Sequence, residues 1–230
     1  MYRNLSLVAL LLLGTGFRPR AQEAAPLIQM VRTKLEQVKS YEADATMKTT
    51  VSFLKVPQAS VKVYFKNPDK FRIRNDHGIS LVPKTMAGIS LNNLLTGKYS
   101  ILDAGSELVN GRSLRVIKLL PSDDSQEIVL STLYIDDKTR LIIRARTTTR
   151  DNGTYEVAMT YGKYISYALP DKLICYFNAK DYKLPKGVTF DYDDGSKKKQ
   201  GDSNGNTRGQ VEINYSSYQI NKNIPDSIFE

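Results

Sequence analysis

The residue types that carry most enzyme chemistry are scarce in this chain. Its 230 residues contain one cysteine, Cys175, and one histidine, His77. A disulfide within the chain and a zinc site built from cysteines are therefore excluded, and so are metal sites that need several histidines. A Ser-His-Asp or Cys-His nucleophilic site would have to use His77 alone. Because His77 precedes Gly78 in a predicted turn, we expect a surface residue rather than a catalytic base.

Cys175 and the paired carboxylates fit structural roles better than catalytic ones. Cys175 alternates with Leu173 and Phe177, which indicates a buried and inert thiol on a strand. Asp123-Asp124 and Asp136-Asp137 stand at predicted strand ends beside serine or lysine, where turn hydrogen bonding accounts for them. We therefore expect no enzyme activity, no catalytic residue, no cofactor and no metal ion.

The first 21 residues are predicted to be a cleaved signal peptide. Arg3 precedes an apolar run from Leu5 to Leu13, which is too short to span a bilayer as a helix. The alternative is a buried strand or helix at the N-terminus. We expect residues 22–230 to form one domain of an exported, periplasmic protein.

The charge balance bears on the class of partner. The formal net charge is +9, which fits nucleic acid, an anionic membrane surface, or simply solubility. An exported protein rarely meets nucleic acid, so we expect no nucleic-acid partner. A content of 41% hydrophobic and 25% charged residues is that of an ordinary globular domain, which excludes wholesale disorder.

Hydrophobic periodicity predicts one helix followed by a long antiparallel sheet. Leu27, Val31, Leu35 and Val38 recur at helical spacing, which predicts an amphipathic helix over residues 25–39. From Ala43 the period changes to two, and later runs with turn signals between them predict further strands. These later strands are predicted at 114–119, 127–135, 141–149, 154–164, 172–182 and 210–220. A sheet of eight to eleven strands curls or closes, which leaves a concave apolar face.

That concave face supplies the candidate binding residues. Alternation places one set of apolar side chains on the same side of the sheet: Met47, Val51, Phe53, Val61, Val63, Phe65, Phe71 and Ile73. A central segment, 83–96, is predicted to be a short apolar helix or lid across the face, with Met86, Ile89, Leu91, Leu94 and Leu95 as its apolar residues. Two interpretations stay open: a packed core beneath the N-terminal helix, or the wall of a cavity for acyl chains.

Two stretches carry a resemblance to a known family. The first runs from Lys39 to Ala45, and the second runs from Val63 through Asn67-Pro68 to Arg72. Their order and spacing resemble the LolA-like outer-membrane lipoprotein-sorting carriers. Weaker matches continue through Asn110-Gly111-Arg112 to the C-terminal Ile224–Phe229, so the resemblance spans nearly all of the predicted mature chain.

The resemblance implies a mainly β fold with some helix. It would be a curved antiparallel sheet forming an unclosed half barrel, with an N-terminal helix and a central helical lid around an apolar cavity. The implied function is to carry lipoprotein acyl chains, or another lipid, through the periplasm toward the outer membrane. The expected partners are that cargo and sorting components of the inner and outer membranes, and the expected state is a monomer.

Two departures from the carrier pattern are visible. Well-studied carriers often have an arginine immediately before the proline, which helps to hold the lid, and this chain has Asn67 there. The segment between Arg74 and Tyr99 also looks shorter than in those carriers. A competing function is therefore a regulatory or sensory module of related fold, which would bind a membrane protein partner in the envelope.

Overall fold

A computed structural model describes residues 21–51, 54–55, 57–75, 95, 97–123, 126–151, 153–178 and 208–230. The predicted signal peptide up to residue 20, Phe53, His77, and the lid residues Met86, Ile89, Leu91 and Leu94 lie outside this part of the chain. Expectations about them therefore stay predictions.

The N-terminal element is one helix, α1, that spans Ala21–Leu35. The sequence predicts this helix at residues 25–39, so its predicted C-terminal end is wrong by four residues. The chain leaves the helix through a turn in which the Val38 amide donates to the Leu35 carbonyl at 3.2 Å. Val38 is buried from that turn, so the apolar spacing that it shares with the helix does not require helical backbone.

Eleven antiparallel strands follow the helix. In chain order they are β1 (Ser40–Val51), β2 (Leu54–Lys55), β3 (Ala59–Lys66), β4 (Lys70–Asn75), β5 (Tyr99–Val109), β6 (Arg112–Pro121), β7 (Ile128–Asp136), β8 (Leu141–Thr149), β9 (Thr154–Thr160), β10 (Lys172–Asn178) and β11 (Arg208–Ile220). Short 3-10 turns occupy Ile165–Tyr167 and Asp226–Ile228.

Ten of these strands form one continuous sheet in the order β4-β3-β1-β11-β10-β9-β8-β7-β6-β5, and β2 pairs only with β1. The last strand is thus inserted between β1 and β10, near the middle of the sheet. Strands β4 and β5 are the two ends of this order and do not pair with each other in the described residues. The predicted unclosed antiparallel sheet with an N-terminal helix is confirmed.

Besides the two-residue strand β2, sequence reasoning missed β5. Its eleven residues alternate between half-buried and exposed side chains, so no run of large apolar residues marks it. It is an edge strand, joined to β6 by Asn110 and Gly111, which have φ angles of 50° and 76°. Those left-handed angles are typical of a tight hairpin turn, as this Asn-Gly pair predicts.

The predicted end of β9 is also wrong. The sequence predicts strand as far as Tyr164, but β9 ends at Thr160 and the chain turns at Gly162 into the 3-10 turn. The hydroxyl of Tyr161 donates to the Ile142 carbonyl at 2.8 Å, which fixes the side chain against β8. The tyrosines of this stretch therefore anchor a connection rather than extend a strand.

The C-terminal segment after β11 is tied to β3 and β4. Lys66 donates to the Ile224 carbonyl at 3.1 Å and pairs with Asp226 at 2.7 Å. Arg72 donates to the Phe229 carbonyl at 3.1 Å, and Ile224 is itself buried. These contacts hold the end of the chain against the edge strand that follows Pro68.

Candidate functional site

The predicted binding residues that the structure describes lie on one face of the sheet, as their alternation predicts. Six of them are buried in a single hydrophobic core: Met47, Val51, Val61, Val63, Phe65 and Ile73. Phe71 is partly buried and packs against the same core. Leu95, the one lid residue that the structure describes, is buried in it as well.

Strand register brings these side chains together. Strand β1 lies between β3 and β11, with Ala45 opposite both Val61 and Tyr215. On the other side of β3, Val63 faces Ile73 and Phe65 faces Phe71 in β4. The alanines of β1 are small and lie between the larger side chains of the neighbouring strands. The result is an apolar face with its smallest side chains along β1.

Helix α1 packs on this same core. Leu27, Ile28 and Val31 point into it and are almost completely buried. The helix therefore covers the concave face, as its amphipathic pattern predicts. Both interpretations of the sequence place the apolar strand residues beneath this helix, either as solid core or as the wall of an acyl-chain site.

A cluster of stacked aromatic rings occupies one part of the face, and sequence reasoning did not find it. Tyr41 stacks on Phe65 at 5.4 Å between ring centroids and meets Tyr218 edge-on at 5.2 Å. Tyr218 also stacks on Tyr215 at 5.0 Å and meets Tyr164 edge-on at 4.9 Å. These rings come from separate strands and a connection. Only strand register places them together, so the sequence pattern carries no signal for the cluster.

Burial keeps three of the tyrosine hydroxyls in this cluster neutral. Burial raises the pKa of Tyr41, Tyr215 and Tyr218 above the ordinary tyrosine value. The hydroxyl of Tyr218 donates to the Pro170 carbonyl at 2.7 Å, which satisfies it inside the apolar surroundings. The cluster is thus an apolar surface with internally satisfied polar groups, and it has no ionised group for acid–base catalysis at neutral pH.

The last lid residue is held by helix α1. The Arg32 guanidinium donates to the Leu95 carbonyl at 2.5 Å. A cavity of about 130 Å³ lies beside this bond, with Asn67 and Pro68 on its other side. The peptide between Asn67 and Pro68 is cis. Arg32, rather than residue 67, therefore makes the described contact to the end of the lid.

Two of the candidate chemical groups that the structure describes, Cys175 and Asp136, are in structural environments. Burial raises the pKa of Cys175 to about 12, so its thiol is not a nucleophile at neutral pH. Asp136 accepts the Lys138 amide at 2.8 Å, which is the turn role that the sequence predicts for it. The part of the chain that the structure describes contains no cluster of three or more histidine, cysteine or acidic side chains suited to a metal ion.

Comparison with protein-family models gives one match, to the MucB/RseB N-terminal domain, over residues 27–173. The chain belongs to this family. The matched stretch includes most of α1 and the strands from β1 to the start of β10, so it contains every described residue of the predicted site. A search of curated proteins finds no match to this chain.

Solved structures share the fold at low sequence identity. A Vibrio parahaemolyticus domain assigned to outer-membrane lipoprotein-sorting proteins is 8% identical, with a TM-score of 0.58 over 91% of this chain and 97% of that one. A DUF1329 family protein from Desulfovibrio piger is 12% identical, with a TM-score of 0.55 over 91% and 97%. The LolA superfamily protein NE2245 from Nitrosomonas europaea is 12% identical, with a TM-score of 0.52 over 88% and 97%.

These matches confirm the resemblance to the lipoprotein-sorting fold that the sequence motifs indicate. The MucB/RseB match adds a family that the motifs do not single out, although the competing regulatory hypothesis anticipates a relative of that kind. None of the described helices is long and apolar enough to cross a membrane.

Proposed function

We propose that this protein binds the acyl chains of a lipoprotein or another lipid on its concave face and carries them through the periplasm toward the outer membrane. The observation that supports this most is the continuous apolar face under α1. Its proposed contact residues are Met47, Val51, Phe53, Val61, Val63, Phe65, Phe71 and Ile73. The proposed cover is formed by Met86, Ile89, Leu91, Leu94 and Leu95.

The energetics of acyl burial fit such a face. Each buried CH₂ stabilises binding by about 0.8 kcal/mol, so even part of an acyl chain supplies useful affinity. Ala43 and Ala45 take up little volume on β1, while Met47 can change rotamer to fit a flexible chain. Lipid then lies along β1 between the side chains of β3 and β11, in contact with the inner side of α1.

A second candidate function is a regulatory module that binds a membrane protein partner in the envelope. The family match over residues 27–173 favours it, because the MucB/RseB family is the kind of relative that the regulatory hypothesis anticipates. In this version the concave face is solid core and binding takes place on an outer surface. The two functions differ in whether the face contains space for a ligand.

Titration with a fluorescent fatty acid, combined with Ala45→Phe, separates the two functions. Ala45 is buried on the concave face, so phenylalanine there fills any acyl site. In a carrier, Ala45→Phe abolishes probe binding with little loss of stability. In a solid core it overpacks the face, which typically costs about 1–3 kcal/mol.

The matched control is Ala158→Phe. Ala158 lies on β9 between the core residues Val157 and Met159, so its side chain is on the opposite face of the sheet. Ala158→Phe should therefore leave binding of the fatty-acid probe unchanged. Transfer of a labelled lipid from donor to acceptor vesicles then tests carriage itself. A wild-type protein that binds no acyl probe, with Ala45→Phe strongly destabilised, excludes the carrier and leaves the regulatory module.

A further inference from the structure

Two large apolar side chains are exposed in one surface groove, and a third is exposed two residues further along the chain. Met30 on α1 is 48% exposed, and Ile165 and Tyr167 in the 3-10 turn after β9 are 40% and 44% exposed. Met30 and Ile165 line a shared surface groove of about 670 Å³. Exposed apolar side chains that gather in this way mark an interaction surface rather than scattered surface residues.

Four basic side chains lie near these apolar residues. Lys34, Lys138 and Arg140 line the same groove, and Lys163, two residues before Ile165, has its ammonium 5.1 Å from the centroid of the Tyr164 ring. Lys34 donates to the Thr139 carbonyl at 2.9 Å, which joins α1 to the β7–β8 turn. None of the four forms an ion pair with a described residue. We call these seven residues, Met30, Lys34, Lys138, Arg140, Lys163, Ile165 and Tyr167, the basic-apolar patch.

The acids beside the patch do not neutralise it. Asp136 is buried, accepts the Lys138 amide and pairs with Arg112 at 3.6 Å. Asp171 accepts the Lys163 amide at 3.1 Å. Asp137 is exposed next to Lys138 and is the one acid within the β7–β8 turn that is left to solvent. Four basic groups against the two carboxylates of Asp137 and Asp171 leave the patch with a positive surplus.

We propose that the basic-apolar patch docks this protein on the surface of an anionic phospholipid bilayer. Methionine, isoleucine and tyrosine at the centre enter the headgroup boundary, and the lysines and arginine reach lipid phosphates. Lysine supplies three of the four cations, and protein interfaces are depleted in lysine, so the composition favours a lipid surface over a protein partner. The proposal holds whether the concave face carries lipid or is solid core.

An exposed apolar residue elsewhere on the sheet provides an internal control. Leu108 lies on the edge strand β5, opposite Ser113 of β6, and is 73% exposed. Glu107 in this region pairs with Arg144 at 3.0 Å, so its charges are balanced. Leu108 shares the exposure of the basic-apolar patch but lies beside this balanced charge pair rather than among unpaired cations.

Tryptophan fluorescence tests the location of membrane contact. The chain contains no tryptophan, so Ile165→Trp introduces a single probe in the patch and Leu108→Trp introduces one on β5. With vesicles of phosphatidylcholine and phosphatidylglycerol, the Ile165→Trp emission should shift to the blue and the Leu108→Trp emission should not. A shift in Leu108→Trp alone, or in neither protein, overturns the proposal. An equal Ile165→Trp shift with pure phosphatidylcholine overturns the role of charge.

Cosedimentation with the same vesicles separates the patch from net charge. Each cation near an anionic surface contributes about 1 kcal/mol, so Lys138→Gln with Arg140→Gln should weaken binding ~30-fold. Lys98→Gln with Lys118→Gln removes the same charge outside the patch and should have a much smaller effect. Equal losses in the two double variants show attraction by net charge alone and overturn the proposal. Circular dichroism checks that all variants are folded.

Discussion

The interior of the sheet has two regions that differ in how completely they are packed. At β6–β8 the inward side chains are mostly aliphatic, with Ile117, Leu133 and Ile135 fully buried, beside the hydrogen-bonded hydroxyls of Ser131 and Thr147. At β1, β3 and β4 they include methionine, alanine and aromatic rings, with Met47 4% exposed and Ile73 9% exposed. Both regions belong to one core, yet only the second includes methionine and aromatic rings.

This difference indicates separate tasks for the two regions. Aliphatic side chains without polar atoms fill space at high density and fix one structure. Aromatic rings with hydroxyls need specific partners, such as the Pro170 carbonyl for Tyr218, and methionine adapts to its surroundings. We therefore assign stability mainly to β6–β8 and the proposed ligand contacts to β1, β3 and β4.

The largest expected effect is at Leu133. Leu133→Ala removes a fully buried side chain from the aliphatic region, where packed neighbours cannot collapse into the space. We expect a loss of about 2–5 kcal/mol in the free energy of unfolding, measured by urea denaturation. Probe affinity of the folded fraction should not change. A large loss of affinity without a loss of stability would reverse the assignment of the two regions.

Alkaline pH should act through the buried tyrosines. Burial raises the pKa of Tyr155 to about 12, and it raises those of Tyr41 and Tyr215 as well. The folded state holds these protons more tightly than the unfolded state does. The contribution of the buried hydroxyls to the free energy of unfolding is therefore complete below about pH 10, and it is lost as pH rises toward the folded pKa. For Tyr155 alone the loss is about 2–3 kcal/mol.

Urea midpoints measured from neutral pH to above pH 11 check this prediction. Tyr155→Phe should flatten the alkaline part of the profile. A profile that stays flat in the wild-type protein contradicts tight burial of these hydroxyls.

Ala45→Phe should produce the next largest effect on stability. The size of that effect depends on whether the region at β1, β3 and β4 contains an acyl site. If that region contains an acyl site, the ring occupies it and stability changes little. If the region is solid, the loss is about 1–3 kcal/mol. Urea denaturation and probe titration on the same samples give both quantities, with Ala158→Phe as the reference. Unchanged stability together with unchanged probe binding would place any lipid site elsewhere.

The smallest expected effect is that of Tyr218→Phe. The substitution keeps the ring contacts with Tyr41 and Tyr215 but removes the hydrogen bond to the Pro170 carbonyl. The carbonyl is left without this donor, so we expect a loss of about 1 kcal/mol in urea denaturation. Tyr164→Phe is a useful comparison within the cluster. A loss as large as that of Leu133→Ala would show that the aromatic region carries the stability.

Much of the fold could be predicted because its pattern is local. Alternation with period two predicts which side chains of β1, β3 and β4 face inward, and the structure buries those that it describes. The strand limits of β8, Leu141–Thr149, agree with the sequence prediction. Asn110-Gly111 predicts a turn because few other residue pairs adopt two left-handed conformations without strain.

The errors come from elements whose signal is weak or shared. Strand β5 is half exposed at the edge of the sheet, so its alternation does not stand out. Val38 continues the helical spacing of α1 although it is buried from a turn. In both cases tertiary contacts, rather than local preference, decide the backbone.

The sequence alone determined the inward face of each predicted strand, the helix that covers it and the class of fold, because each depends on spacing between near neighbours. Tertiary structure decided the insertion of β11 between β1 and β10, which brings Tyr215 and Tyr218 to Tyr41. It also brought Met30 to Ile165 across the β7–β8 turn. These contacts join residues far apart in the chain. Strand order and register set them, and both depend on the packing of the whole sheet.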